Sequence, residues 1–343
     1  EVVPNSGCGS WLMEPQSTNL VTYSEDFSNV AWVKTRISIS SNVAVSPDGT
    51  QNADKLVSDA TNNSHFIRDD ISSTIGVLSV FAKADDFTFL KLASNAYGFQ
   101  ASYFDLVNGT YIEAANHIAK IENYGNGWYK CSIYVDQSFT QFYIENAGNS
   151  ASATHLGDGI KGIYIYGAQV EESSYATSYV PTQGAISTRL ADACSQTPPS
   201  GIIGQTEGTI YMQLGKINSD ASNEIYLELN NGSGSSQRIG IYVDANNFLR
   251  NLIVGGGDSS VIQTNYEPKS NDKIAVTYKT NEAKIFVNGV QKGGVDTTVG
   301  IPNTSIFSLQ ENTSTRVQSV QFKAVQLYNT ALTDAELIAL TTI

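Results

Sequence analysis

The chain has 343 residues, 20 Lys and Arg against 33 Asp and Glu, and a formal net charge of −13. Only 15% of its residues are charged, against about a quarter in an average globular protein, so Ser, Thr, Asn and Gly must keep the surface wet. The acidic balance argues against nucleic acid and anionic membranes as partners, and no run approaches the roughly 18 apolar residues of a membrane span.

The length suits about two domains, each able to bury a full core. Glu1 opens no signal-peptide pattern, so a fragment, a mature chain or a piece of a longer protein is expected. Residues 1–16 read as a lead-in, because Pro4, Gly7, Gly9 and Pro15 forbid a long regular element. A short strand follows at Asn19–Tyr23, and a turn at Asn29–Trp32. Arg36–Val45 alternates with period two, the Pro47-Asp48-Gly49 turn follows, and Ala53–Val57 is the next strand. Further strands are expected at His65–Ile71, Gly76–Ala84, Phe87–Ala93, Ala101–Asp105, Tyr111–Ile121, Trp128–Val135, Phe139–Asn146 and Ile160–Gln169. Turns such as Asn108-Gly109 and Asn126-Gly127 separate them, which is the antiparallel sandwich pattern, and no helix is expected before residue 200.

Residues 194–206 read as a linker around Pro198-Pro199. A second domain, 207–343, then alternates as strands at Thr209–Leu214, Glu224–Asn230, Arg238–Val243, Phe248–Val254, Val261–Tyr266, Asp272–Lys279, Glu282–Val287, Ser305–Leu309 and Val317–Tyr328. It ends in one short helix, with Thr333 as N-cap and Leu337, Ile338 and Leu340 on one face. The fold class is therefore all-β, two tandem antiparallel β-sandwiches with one C-terminal helix.

Four blocks carry a resemblance: EPQSTNLVTYSEDFSNVAWVKT from Glu14, SPDGTQNADKL from Ser46, GNGWYKCSIYV from Gly125, and GAQVEESSYATSYVPTQGAISTR ending at Arg189. In this order, roughly residues 10 to 192 resemble the carbohydrate-binding-module-like jelly rolls of phage fibre, spike and tail proteins, and the domain itself is read as 17–193. The resemblance implies a virion-surface or extracellular β-sandwich that accompanies host attachment, with other virion proteins as partners and a homotrimer as the expected assembly. The passage AKIFVNGVQ followed by VQLYNTALTDAELIAL resembles laminin-G and concanavalin-like domains over residues 205–343.

Three cysteines are present. Cys131 sits in an alternating strand and reads as a buried thiol. Cys8 and Cys194 flank the first domain, and a disulfide between them stands beside the alternative of two thiols.

Catalysis has little support. Laminarinase-type hydrolases on a concanavalin-like fold carry two glutamates around an aspartate on one strand, and Glu224-Ile225-Tyr226-Leu227-Glu228 resembles that pattern, but Tyr226 replaces the aspartate. The plainer reading is an exposed strand face bearing Glu224, Tyr226 and Glu228. His65, His117 and His155 lie in no hydrolase motif and read as surface or cross-strand residues. The expectation is a non-enzymatic binder of host surface polysaccharide. Glycan recognition stacks an aromatic ring on a sugar's apolar face and rings it with amides and carboxylates. The candidates are Trp32, Tyr97, Phe99, Tyr124 and Trp128, with Trp128 also a core candidate, and Asn246 and Asn247 in the second domain. Asp244 and Asp258 are the candidate ligands of a structural Ca²⁺, which needs six to eight oxygens. A targeting module of a secreted polysaccharide-degrading enzyme and a purely structural virion spacer are the alternatives.

Overall fold

Strand-forming alternation dominates the computed structural model, which describes residues 10–217, 224–309 and 319–343. The chain divides into two compact units. One is Ser17–Arg189; the other is formed by the described residues from Leu190 onward together with residues 10–16.

The Ser17–Arg189 unit is built on two nineteen-residue antiparallel strands, His65–Lys83 and Trp128–Asn146. Each was expected as two separate strands. Their pairing slips register between Val135 and Phe139, opposite Thr74–Gly76, so each strand passes from one layer to the other. One layer continues through His117–Gly125 on one side and Gly162–Glu171, Ala53–Ser58 and Ile37–Ala44 on the other. The opposite layer continues through Phe89–Ser94, Ala101–Asp105 and Thr110–Ile112, with Val33–Thr35 across the strand pair. Leu78, Val80, Ile133 and Val135 of the first layer share a buried cluster with Ile67, Leu90, Phe104, Phe142 and Ile144 of the second. This is the β-sandwich expected from the alternation, with the core between the layers.

A buried amide closes the unit. Asn19 is fully buried; its Nδ2 donates to the carbonyls of Ala168 (3.1 Å) and Val180 (2.8 Å), and its Oδ1 accepts from the backbone N–H of Val21 (3.1 Å) and Val170 (3.2 Å). The neighbouring Glu171, also fully buried, accepts from Ser17 Oγ (2.5 Å), Thr177 N (3.0 Å) and Thr177 Oγ1. These bonds explain why a Ser/Tyr/Thr-rich segment follows the last long strand: its polar groups satisfy one another where water does not reach.

The second unit packs two six-stranded antiparallel sheets over Met212, Ile241, Ile253, Ile274, Ile285 and Phe322. Two of its edge strands come from segments expected to be irregular. Trp11–Met13 pairs with Val320–Tyr328, and Ser195–Gln196 pairs with Ile306–Ser308. Proline and glycine exclude long elements but leave room for two or three residues on a sheet edge. The helix Asp334–Thr341 is capped as expected: Thr333 Oγ1 accepts from Glu336 N (3.4 Å) and the Glu336 carboxylate accepts from Thr333 N (2.8 Å). Leu337 is buried under it, whereas Ile338 points outward, 45% exposed. Cys8 lies outside the described residues, as do the side chain of Glu224 and the start of the strand expected at Val317.

Replacing Asn19 with Ala strands two carbonyls and two N–H groups in the core. The expected loss is about 3 kcal/mol or more, read as a lowered urea midpoint for the Ser17–Arg189 unit; a midpoint unchanged from wild type would contradict this account of the closure.

Candidate functional site

At the register slip the long strand Trp128–Asn146 bulges outward at Asp136, Gln137 and Ser138, all exposed. The loop after Phe89–Ser94 is held against it. Asn95 Oδ1 accepts from Thr140 N (3.0 Å) and Gln141 N (3.1 Å), while Asn95 N donates to Gln141 O (3.0 Å). Tyr97 N donates to Gln137 Oε1 (3.0 Å) and Tyr97 Oη to Asp136 Oδ1 (2.7 Å), a bond that pushes the phenol's pKa up. Between these clamps Tyr97, Gly98 and Phe99 all take left-handed backbone, with φ of 49°, 68° and 64°. For a bulky side chain that conformation costs about 1–3 kcal/mol. It turns the Phe99 ring into solvent, 58% exposed, with its flank on Tyr143 at 5.7 Å and 78°. Tyr143 is itself wedged edge-on against Phe66 at 5.3 Å. Next along the chain, Gln100 Oε1 accepts from the backbone and side chain of Asn116 (3.3 Å each). An outward, braced aromatic surrounded by carboxylate, amide and phenol groups is the arrangement that sugar stacking requires.

The other aromatic candidates are placed differently. Trp32 is 2% exposed, packed between Phe27 (5.2 Å) and Phe142 (5.5 Å), with its Nε1–H on the Tyr23 carbonyl (2.9 Å). Trp128 is equally buried and donates to the Val45 carbonyl (3.0 Å). Both are core residues rather than ligand contacts, because a backbone carbonyl within reach lets the indole N–H go inside. Tyr124 lies partly buried against Phe81, edge-on at 4.9 Å, so its ring serves that small cluster.

In the second unit Asp244, Asn246 and Asn247 form one tight turn. Asp244 Oδ1 accepts from Asn246 N (2.8 Å) and Phe248 N (3.1 Å), Asn247 supplies a left-handed φ of 61°, and Asn246 is exposed at the tip. Asp244 Oδ2 is ion-paired with Arg250. Asp258 is exposed beyond the other end of the strand Leu249–Gly255, about 20 Å along a seven-residue strand. The two carboxylates therefore cannot share a Ca²⁺, and the expected pair does not fit that ion.

The strand Glu224–Asn230 also differs from expectation. Ile225 pairs with Tyr242 and Leu227 with Ile241, so Tyr226 is the extra residue of a bulge and the alternation changes phase there. Tyr226 and Glu228 are buried rather than exposed, with Glu228 Oε2 3.4 Å from Arg238 Nη1. Two of the histidines are internal too, and His155 is half-buried. His65 is fully buried, with Nδ1 2.7 Å from the Arg36 carbonyl and its ring 4.4 Å from that of His155. His117 is buried with Nδ1 2.9 Å from Ser102 Oγ.

A second concavity of the first unit, which sequence reasoning missed, is a cleft of about 680 Å³ lined by Tyr23, Glu25, Asp26, Asn42, Asn52 and Asp54, among others. Ser28 Oγ donates to Asp26 Oδ1 (2.6 Å), a bond that helps hold this carboxyl below its usual range. Asp54 is 2% exposed, and burial raises its carboxyl pKa to about 6. Asp48, Asn52 and Asp54 all lie in the SPDGTQNADKL block, but nothing in that block's spacing tells which carboxylate turns inward.

Residues 196–338 match a family model, Laminin_G_3, described as the Concanavalin A-like lectin/glucanases superfamily. The all-β sandwich of the second unit accords with that match. No curated protein matches the chain. Among solved structures, a carbohydrate-binding module of the Ruminococcus gnavus IT-sialidase, bound to α2,3-sialyllactose, is 16% identical with a TM-score of 0.34, over 40% of this chain and 84% of that one. A heptameric SAP-like pentraxin from Limulus polyphemus is 13% identical with a TM-score of 0.31, over 38% and 68%. Trypanosoma rangeli sialidase is 11% identical with a TM-score of 0.34, over 83% and 59%.

Because the folded Asp54 carboxyl binds its proton more tightly than the unfolded one, this group lowers stability as pH rises from about 4 to about 6. The penalty then persists at neutral pH. Asp54→Asn is expected to raise the denaturation midpoint at neutral pH and flatten the curve between about pH 4 and 6; a midpoint that falls at neutral pH in the absence of any added ligand would contradict the assignment.

Proposed function

We propose that the chain is a non-enzymatic glycan-binding protein of a virion surface, contacting host polysaccharide through the Tyr97–Phe99 turn. The observation that carries this reading is the strained, outward turn at Phe99: three successive left-handed residues keep an aromatic ring in water beside Tyr97, Asp136 and Gln100. A fold gains nothing from that exposure, whereas a pyranose stacked on the ring does. The match of residues 196–338 to a lectin/glucanase family supports carbohydrate as the ligand class. The four ordered sequence blocks support a fibre or spike setting, in which weak sites repeated in a homotrimer gain avidity of about a hundredfold or more without new contacts. The buried Glu228, ion-paired with Arg238 on a bulged strand, supports binding rather than hydrolysis. Since the matched family spans both lectins and glucanases, a targeting module of a polysaccharide-degrading enzyme is the second reading.

Phe99→Gly tests the site, because glycine keeps the left-handed backbone and removes only the ring. On a polysaccharide array or whole host cells, binding is expected to weaken about tenfold, the worth of one aromatic stack, with the circular dichroism spectrum unchanged. Undiminished binding by the glycine variant sinks the assignment to this turn.

A further inference from the structure

The acidic cleft carries an inference that deepens the glycan reading and rests on it. Its lining includes the carboxylates of Glu25, Asp26 and Asp54 and no lysine or arginine. The ammonium of Lys34, which lies within the field of Asp26, donates instead to the carbonyls of Asn29 (2.7 Å) and Trp32 (3.1 Å). Two acceptors in the lining are buried and lack a well-formed hydrogen bond. Asp54 Oδ1 takes the N–H of Asn42 (2.9 Å) and the Phe27 N–H also favours the ionised carboxyl, but Oδ2 accepts no bond of full hydrogen-bond geometry. Asn52 donates through Nδ2 to Asp48 (3.0 Å), and its Oδ1 likewise has none. Leaving such groups unmatched is costly, so an occupant that donates hydrogen bonds and carries positive charge suits the cleft.

A bare metal ion suits it poorly. Ca²⁺ draws six to eight oxygens to about 2.4 Å, whereas among the described residues no three carboxylate, histidine or cysteine side chains stand close enough to share an ion. Glu25 is already engaged by the hydroxyls of Tyr166 (3.0 Å) and Tyr179 (3.1 Å). The carboxylates are spread along a cleft whose volume of about 680 Å³ falls in the range of small-molecule sites. The remaining lining, with Tyr23, Ser28, Ser41, Pro181 and Gln183, offers hydroxyls, an amide and two apolar rings, a surface for a sugar.

We propose that this cleft binds the protonated amino group of a de-N-acetylated amino sugar, with the ammonium directed at Asp26 and Asp54 and the pyranose along Tyr23 and Pro181. An ammonium supplies three donors from one small head, and N-acetylation removes both the charge and two of those donors.

The test is calorimetric titration of the full chain with a glucosamine trisaccharide from chitosan and with its N-acetylated counterpart, at low and high salt. The free-amine sugar is expected to bind at least about tenfold tighter than the acetylated one, with the preference shrinking as salt rises. Asp26→Asn, at an exposed position, and Asp54→Asn are each expected to abolish that preference. Equal affinity for the two sugars, or no heat from either, overturns the inference. So does a lysine tripeptide that binds as tightly as the free-amine sugar, which would make the cleft a site for cationic peptide. A melting temperature that Ca²⁺ raises in wild type but not in Asp54→Asn would make it a metal site and overturn the inference as well. Array binding by the same wild-type preparation is read separately: when it is present and the amine gives no heat, this inference fails and the glycan reading at Phe99 stands.

Discussion

The first unit depends on one buried side chain, Asn19. Its amide has two donors and an acceptor with two lone pairs, and all are used, on Ala168, Val180, Val21 and Val170. Four backbone groups from three chain segments are thereby satisfied where no strand pairing reaches them. The consequence extends outward through the segment it pins. Val180 N also donates to Gln169 Oε1 (2.7 Å), Tyr179 Oη lies 2.6 Å from Ser24 Oγ, and the Tyr166 and Tyr179 hydroxyls fix the Glu25 carboxylate. The acidic cleft therefore inherits its wall from a bond made in the core.

A different constraint sets the aromatic turn. Two long strands cannot serve both layers of a sandwich without bending, and the bend leaves Asp136–Ser138 unpaired beyond the sheet. Those residues become the anchor for Tyr97, and Asn95 clamps the loop to Thr140 and Gln141. The bend that lets the core close is thus the feature that presents Phe99. Strain in the left-handed residues is tolerated because hydrogen bonds on both sides hold the turn in place.

Much of this architecture is legible in the sequence, since period-two alternation depends on neighbouring residues alone. The strands, the turns at Asn108-Gly109 and Asn126-Gly127 and the Thr333 cap follow from local chemistry. The exposed turn was legible as well, because SNAYGFQ sets aromatics among Asn, Gly and Gln. What escaped depends on distant partners. Trp32 and Trp128 go inside because carbonyls at Tyr23 and Val45 accept their indoles, a fact absent from their own neighbourhoods. Tyr226 joins Leu227 in the core because it is the extra residue of a bulge, and a bulge leaves no signature in hydrophobic periodicity. Trp11–Met13 looks irregular until Val320–Tyr328 lies beside it. Asp54 reads as the polar member of an alternating strand, whereas it is 2% exposed with the N–H of the distant Asn42 on its Oδ1.

The central claim is that glycan is held on the Phe99 turn, and the most direct measurement is an NMR titration of the protein, isotope-labelled at phenylalanine and along the backbone, with host surface polysaccharide fragments. The account predicts saturable shifts of the Phe99 ring together with the Tyr97, Gln100 and Asn116 amides, while Trp32 and Trp128 in the core stay still. Saturable binding that moves other residues and leaves Phe99 unperturbed would contradict it, as would the absence of any shift across a panel of such fragments.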